Sequence, residues 1–186
     1  MSQPTLLGLS GSLRSNATNR LLLREAARLF GPCDYAEANL ELPLYNGDDE
    51  DREGRPDAVE QLVAQIGAAD AVLISTPEYN GGISGVLKNA LDWISRSPDK
   101  VWEGKPVAVM SAADGRSGGA RAQTMLRTCL VPFRPRLALA PEVMLADSRK
   151  QFDENGQLIS DQYRASLQRL VHALKADLEL SVRQDD

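Results

Sequence analysis

Short apolar runs alternate along this chain with stretches whose apolar residues recur at helical spacing. TLLGLS at 5–10 predicts a buried first strand. TNRLLLREAARLF at 18–30 predicts a helix with Leu22, Leu23, Ala26, Ala27 and Phe30 on one face, stopped by Gly31-Pro32. CDYAEANL at 33–40 alternates and predicts a more exposed second strand. The polar, turn-rich segment 41–56 reads as a long loop, with the acidic run DDEDREG at 48–54 a solvated part of it or an edge of a neighbouring subunit's pocket. A helix over 57–69 leads to a β-rich central strand at 70–76. Residues 84–95 predict a helix with Val86, Leu87, Ala90, Leu91 and Ile94 on one stripe and Ser84 at its N-cap. Then follow a strand at 105–113, a helix at 118–131 and a last strand at 136–145, interrupted by Pro141. An Asn-Gly signal within 152–159 marks a small hairpin or loop, and 161–180 predicts a long closing helix.

Strands separated by helices predict a three-layer α/β sandwich, with residues 1–186 forming one domain. Two strand orders are common in such sheets. Both bind ligands beyond the C-terminal strand ends, at the switch point. The chemically unusual loops of this chain follow strands: 10–19, 76–85 and 111–119.

Composition narrows the choice of ligand. Hydrophobic residues make up 42% and charged residues 25% of 186, the balance of a soluble globule. A net charge of −5 argues against nucleic acid and anionic membranes as partners. One histidine, His172, expected on a helix surface, excludes a multi-histidine metal site. Cys33 and Cys129 lack metal or redox spacing and are expected as buried, reduced thiols. With neither a signal-peptide pattern nor a membrane-length apolar run, the expected compartment is the cytoplasm.

The first loop, GLSGSLRSNATNR at 8–20, enters a helix, where unpaired N–H groups and the helix dipole favour an anion. Gly11 lets the backbone approach closely; Ser10, Ser12, Ser15, Thr18 and Asn19 offer donors and Arg14 a charge. The pattern is neither a Walker loop nor a Gly-x-Gly-x-x-Gly fingerprint, since position 10 is serine. The alternative is a solvated helix cap. The second loop, TPEYNGGISG at 76–85, has the rigid Pro77, a flat face in Tyr79, an amide in Asn80, and Gly81 and Gly82 leaving backbone exposed. It suits a planar heteroaromatic ring; the alternative is a glycine-rich turn with a packing tyrosine. A phosphate site beside a ring site describes FMN at a flavodoxin-like switch point.

GSLRSNATNRLLL, TPEYNGGISGVLKNALDW and SAADGRSGGARAQ together resemble the NADPH-dependent FMN reductase family over nearly the whole chain. The resemblance implies a flavodoxin-like fold, a five-stranded parallel sheet in the order 2-1-3-4-5 with helices on both faces. It implies that Ser12, Arg14, Thr18 and Asn19, with Ser10 in the same loop, hold the FMN phosphate. Pro77, Glu78, Tyr79, Asn80 and Gly81 would line the isoalloxazine, largely through backbone groups. Ser111, Asp114 and Gly115, with Gly118-Gly119, would border the ring and ribityl chain. Ala17 stands where the family often has serine, so one phosphate contact is lost or passed to Thr18 or Asn16. Gly82 and Ser84 likewise replace the family's frequent serine and proline.

The implied activity is hydride transfer from NADPH or NADH through FMN to a quinone or similar small-molecule acceptor, in a ping-pong cycle. The reaction centre is the flavin itself, and no catalytic side chain is assigned. Two rival readings are a flavodoxin-like electron carrier without NAD(P)H oxidation and a scaffold that has lost its flavin. Three Phe, two Trp and four Tyr are few for the aromatic sandwich of a carrier. The family implies a homodimer or homotetramer. Trp93 is expected to pack on its helical stripe or at an interface, and Trp102, in a loop, to meet a partner if exposed.

Overall fold

The computed structural model describes residues 3–182. Its sheet is parallel throughout: β1 (Thr5–Ser10), β2 (Asp34–Glu37), β3 (Ala71–Thr76), β4 (Pro106–Ala112), β5 (Arg136–Leu137) and β6 (Val143–Leu145). The order is β2-β1-β3-β4-β5, with β6 also pairing β4. The helices are α1 (Thr18–Phe30), α2 (Gly47–Glu53), α3 (Asp57–Ala68), α4 (Gly85–Ile94), α5 (Ala120–Leu130) and α6 (Asp161–Val182).

Period-two alternation along the buried strands divides the core into two. Leu7, Leu9, Val72, Ile74, Val107 and Val109 face one side, against Leu62, Leu87 and Leu126 of α3, α4 and α5. Leu6, Leu73, Ala108 and Met110 face the other, against Leu22 and Phe30 of α1 and Leu167 and Leu174 of α6. Both faces of β3 and β4 are therefore covered, which is why those strands read as continuous apolar runs.

The structure departs from the sequence expectation in several places. The predicted loop 41–56 contains α2, which buries no residue and so carries no apolar stripe. Local chemistry forms it: the Asn46 side chain accepts from the Asp48 N–H, and Asp48, Asp49 and Glu50 sit at the positive helix end. The acidic run is thus structured. Glu50 accepts from Arg96 Nε at 2.8 Å and from the Tyr45 hydroxyl at 3.1 Å. The predicted last strand is two short strands, six in all, because the segment between β5 and β6 leaves the sheet around Pro141, which has no N–H to donate. Strand β2 is shorter than 33–40. Residues 152–159 form a hairpin closed by a bridge between Phe152 and Leu158.

Both tryptophans are 2% exposed. Trp93 donates to the Pro43 carbonyl at 2.7 Å. Trp102 packs edge-on against Phe133, so its loop does not present it to a partner. Cys33 and Cys129 are free and partly exposed rather than buried. His172 is exposed on α6. Among the described residues no helix is long and apolar enough to cross a membrane.

Candidate active site

The three loops singled out in the sequence converge at the C-terminal ends of β1, β3 and β4, around a cleft of about 560 Å³. Convergence there follows from topology, because β1 and β3 are neighbours whose chains leave in opposite directions along the sheet. Ser12, Arg14, Thr18, Asn19, Pro77, Glu78, Tyr79, Asp114 and Gly115 line the cleft. Ser10, Asn80, Gly81 and Ser111 do not.

The floor is the uncapped start of α1. Its N-cap is Ala17, whose methyl group cannot accept a hydrogen bond, and the first turn holds no acidic residue. The N–H groups of Thr18 and Asn19 find no acceptor among the described residues. They point where an anion would be held. Arg14 is exposed beside them and makes no ion pair among the described residues, whereas Glu78 and Asp114 are each already matched.

Several hydroxyls and amides of the loop hold it together. The Ser10 hydroxyl donates to the Ser12 carbonyl at 3.0 Å and accepts the Ser12 N–H at 3.2 Å, folding the chain back after β1. Asn19, 3% exposed, ties the sheet. Its side-chain oxygen accepts from the Ser75 hydroxyl at 2.7 Å and the Ala112 N–H at 3.1 Å, and its amide donates to the Ala112 carbonyl at 3.0 Å. One amide hydrogen remains for a ligand. Gly11 sits so close to Pro77 Cδ and Ser84 Oγ that a Cβ would lie 3.0 Å from each, which locks the first loop to the second.

Tyr79 stands on a hairpin. Tyr79 and Gly82 exchange two backbone hydrogen bonds of 3.0 Å, and the residues between, Asn80 and Gly81, have φ of 51° and 79°. Positive φ at both central positions is the type I′ pattern that selects Asn-Gly. The hairpin leaves Tyr79 at the cleft, 54% exposed. Asn80 and Gly81 therefore shape the turn, while Glu78 anchors it: its carboxylate accepts the Arg121 N–H at 3.0 Å, capping α5, whose N-cap is glycine. Ser84 caps α4 by accepting the Leu87 N–H at 3.2 Å.

The third loop adds Ala112, Ala113 and Ser117 to the lining beside Asp114 and Gly115. Ser111 is fully buried; its hydroxyl donates to the Gly118 carbonyl at 2.6 Å and accepts from Gln123 at 2.9 Å. It holds the glycine pair against β4. Gly118, with φ 58°, has no room for a side chain, since a Cβ would lie 2.4 Å from the Met144 carbonyl oxygen.

A fourth segment lines the cleft that the sequence reading did not single out. Ser148 and Arg149 lie on a short turn after β6. Arg149 Nε lies 2.8 Å from the Asp114 carboxylate, and the Ser148 hydroxyl donates to the same group at 3.2 Å. Strand-end reasoning applied to the last strand, as to the first, third and fourth, points to this turn.

The sequence model of the NADPH-dependent FMN reductase family matches residues 4–150. The chain is 45% identical to the NAD(P)H-dependent FMN reductase of Pseudomonas aeruginosa over 172 residues, 91% of this chain and 92% of that one. It is 39% identical to a quinone reductase of Escherichia coli K12 over 156 residues, 81% of this chain and 82% of that one. The solved structure of the Paracoccus denitrificans flavoenzyme NAD(P)H:(acceptor) oxidoreductase FerB superposes with a TM-score of 0.84 at 31% identity, covering 95% of this chain and 97% of that one.

Proposed function

From the premise that the chain belongs to the NADPH-dependent FMN reductase family, we propose that the cleft holds FMN with its phosphate on the start of α1 and its ring beside the Tyr79 hairpin. The activity is transfer of hydride from NAD(P)H through bound FMN to a quinone or similar small-molecule acceptor. The observation that carries the placement is the uncapped N-terminus of α1 opening into the cleft, with Arg14 beside it lacking an ion-pair partner among the described residues. The cleft volume lies within the ~300–1,000 Å³ of ligand sites.

When bound there, FMN supplies the hydride-accepting and hydride-donating centre that no side chain of this site offers. The chain's own residues bind and orient it. Arg14, the Ser12 hydroxyl and the free N–H groups of Thr18 and Asn19 take the phosphate, in charge-assisted hydrogen bonds. Asn16, which also lines the cleft, is the side chain placed to replace the contact that Ala17 lacks. Pro77 and Tyr79 give the ring an apolar wall. Backbone groups of 113–115 and the Asp114 side chain border the ribityl side.

Among the described residues, Tyr79 is the one aromatic that lines the cleft. One face of a ring held there would stay open to NAD(P)H and then to the acceptor, as a ping-pong cycle requires. The electron-carrier reading calls for aromatics on both faces and draws no support from this lining. The reading extends to a homodimer or homotetramer in the cytoplasm.

Anaerobic mixing tests the activity. NADPH should bleach the visible absorbance of the FMN-loaded protein, and menadione should restore it. A loaded protein that NADPH leaves yellow, and that only an external reductase bleaches, would replace this reading with the carrier.

A further inference from the structure

The start of α1 and the turn after β6 are joined through two hydroxyls. Thr18 Oγ1 lies 3.1 Å from Ser148 Oγ, and Ser148 Oγ lies 3.2 Å from Asp114 Oδ1. Ser148 is 2% exposed and Asp114 is fixed from its other side by Arg149 at 2.8 Å. The polarity of this chain follows from proton counting. A carboxylate only accepts, so the single Ser148 proton goes to Asp114. Ser148 can then only accept from Thr18. The Thr18 proton is therefore turned away from the start of α1 and toward Ser148, and only its lone pairs are left for the anion site.

We propose that Thr18, Ser148 and Asp114 form a hydroxyl relay in which Asp114 competes with the flavin phosphate for the Thr18 proton, making Ser148 and Asp114 positioning residues that set cofactor affinity. The inference rests on the phosphate placement proposed above. Two protons serve three gaps: phosphate to Thr18, Thr18 to Ser148, and Ser148 to Asp114. With Asp114 ionised, donation from Thr18 to phosphate leaves one gap without a proton and two lone pairs facing each other. An amide at position 114 removes the conflict, because it donates to Ser148, which donates to Thr18, which donates to phosphate. Ala17 sharpens the effect, since it leaves Thr18 as the hydroxyl at the first position of the helix. Arg149 restrains Asp114 by drawing its charge toward the rim.

The test is a double-mutant cycle on the apoprotein, titrated with FMN and, separately, with riboflavin. Asp114→Asn should raise the ratio of FMN affinity to riboflavin affinity about fivefold, a ratio in which any contact of position 114 with the shared ribityl chain cancels. Thr18→Val should weaken FMN less than twofold in the parent protein and about tenfold in the Asp114→Asn protein. Equal losses in the two backgrounds would overturn the relay and leave only the loss of a nearby negative charge. Tightening of riboflavin as much as FMN would also overturn it, by placing the effect away from the phosphate. Failure of the underlying placement looks different, because the parent protein itself would then bind FMN no better than riboflavin. Thermal melts of each variant separate lost binding from lost folding.

Discussion

In the proposed placement, Arg14 is the residue whose effect on cofactor affinity is simplest to isolate. It is exposed and touches no carboxylate among the described residues, so its removal costs the fold little. Arg14→Ala should weaken FMN at least tenfold, the worth of one charge-assisted hydrogen bond of about 1.5–3 kcal/mol, with riboflavin affinity and Tm unchanged. A matched titration of the two ligands checks it. Its place at the cleft was legible because charge and position both show in sequence. Asn19 and Ser111 were legible only as polar residues in the right loops. Sequence does not reveal that Asn19 spends three hydrogen bonds on Ser75 and Ala112, or that Ser111 turns to Gly118. Polar side chains beside a strand end serve ligand and scaffold alike, and only coordinates divide them.

At the scale of elements, the Tyr79 hairpin and the glycine pair before α5 carry separable predictions. Gly81→Val places a β-branched residue at φ 79° and should distort the turn, at a cost of roughly 1–2 kcal/mol. The ring wall moves with it, so FMN and riboflavin should weaken together, unlike the phosphate-selective loss in Arg14→Ala. Gly118→Ala puts a Cβ 2.4 Å from the Met144 carbonyl oxygen and should destabilise the protein by about 2–3 kcal/mol, read as a lower urea midpoint. Helix α1, strand β3 and the Ser84 cap were legible because periodicity and capping are local. Helix α2 was not, because a helix that buries nothing has no stripe to read. The end of the last strand was placed at 145, where β6 does end, but the turn carrying Ser148 and Arg149 was missed because residues 146–151 hold no glycine to mark them as the other three loops are marked.

The whole molecule places the candidate site at the C-terminal ends of its central strands and stability on both faces of the sheet. Helix α6 lies beyond residue 150, where the family match ends, yet Leu167, Leu170, Val171 and Leu174 are among its residues in the core shared with α1 and β4. Four such side chains represent about 6–12 kcal/mol of apolar burial, comparable to the full stability of a domain. A chain ending at residue 160 should therefore fail to fold, seen as loss of cooperative melting. The strand order and the two-sided core were legible from the alternation of apolar runs and amphipathic stretches together with the family resemblance. The split of the last strand was marked only by Pro141. The central claim, that the start of α1 grips a phosphate, is tested most directly by titrating apoprotein with FMN and riboflavin, which differ only in that group. Even two of the four proposed charge-assisted contacts should make FMN bind about a hundredfold more tightly. Equal affinities would contradict the account.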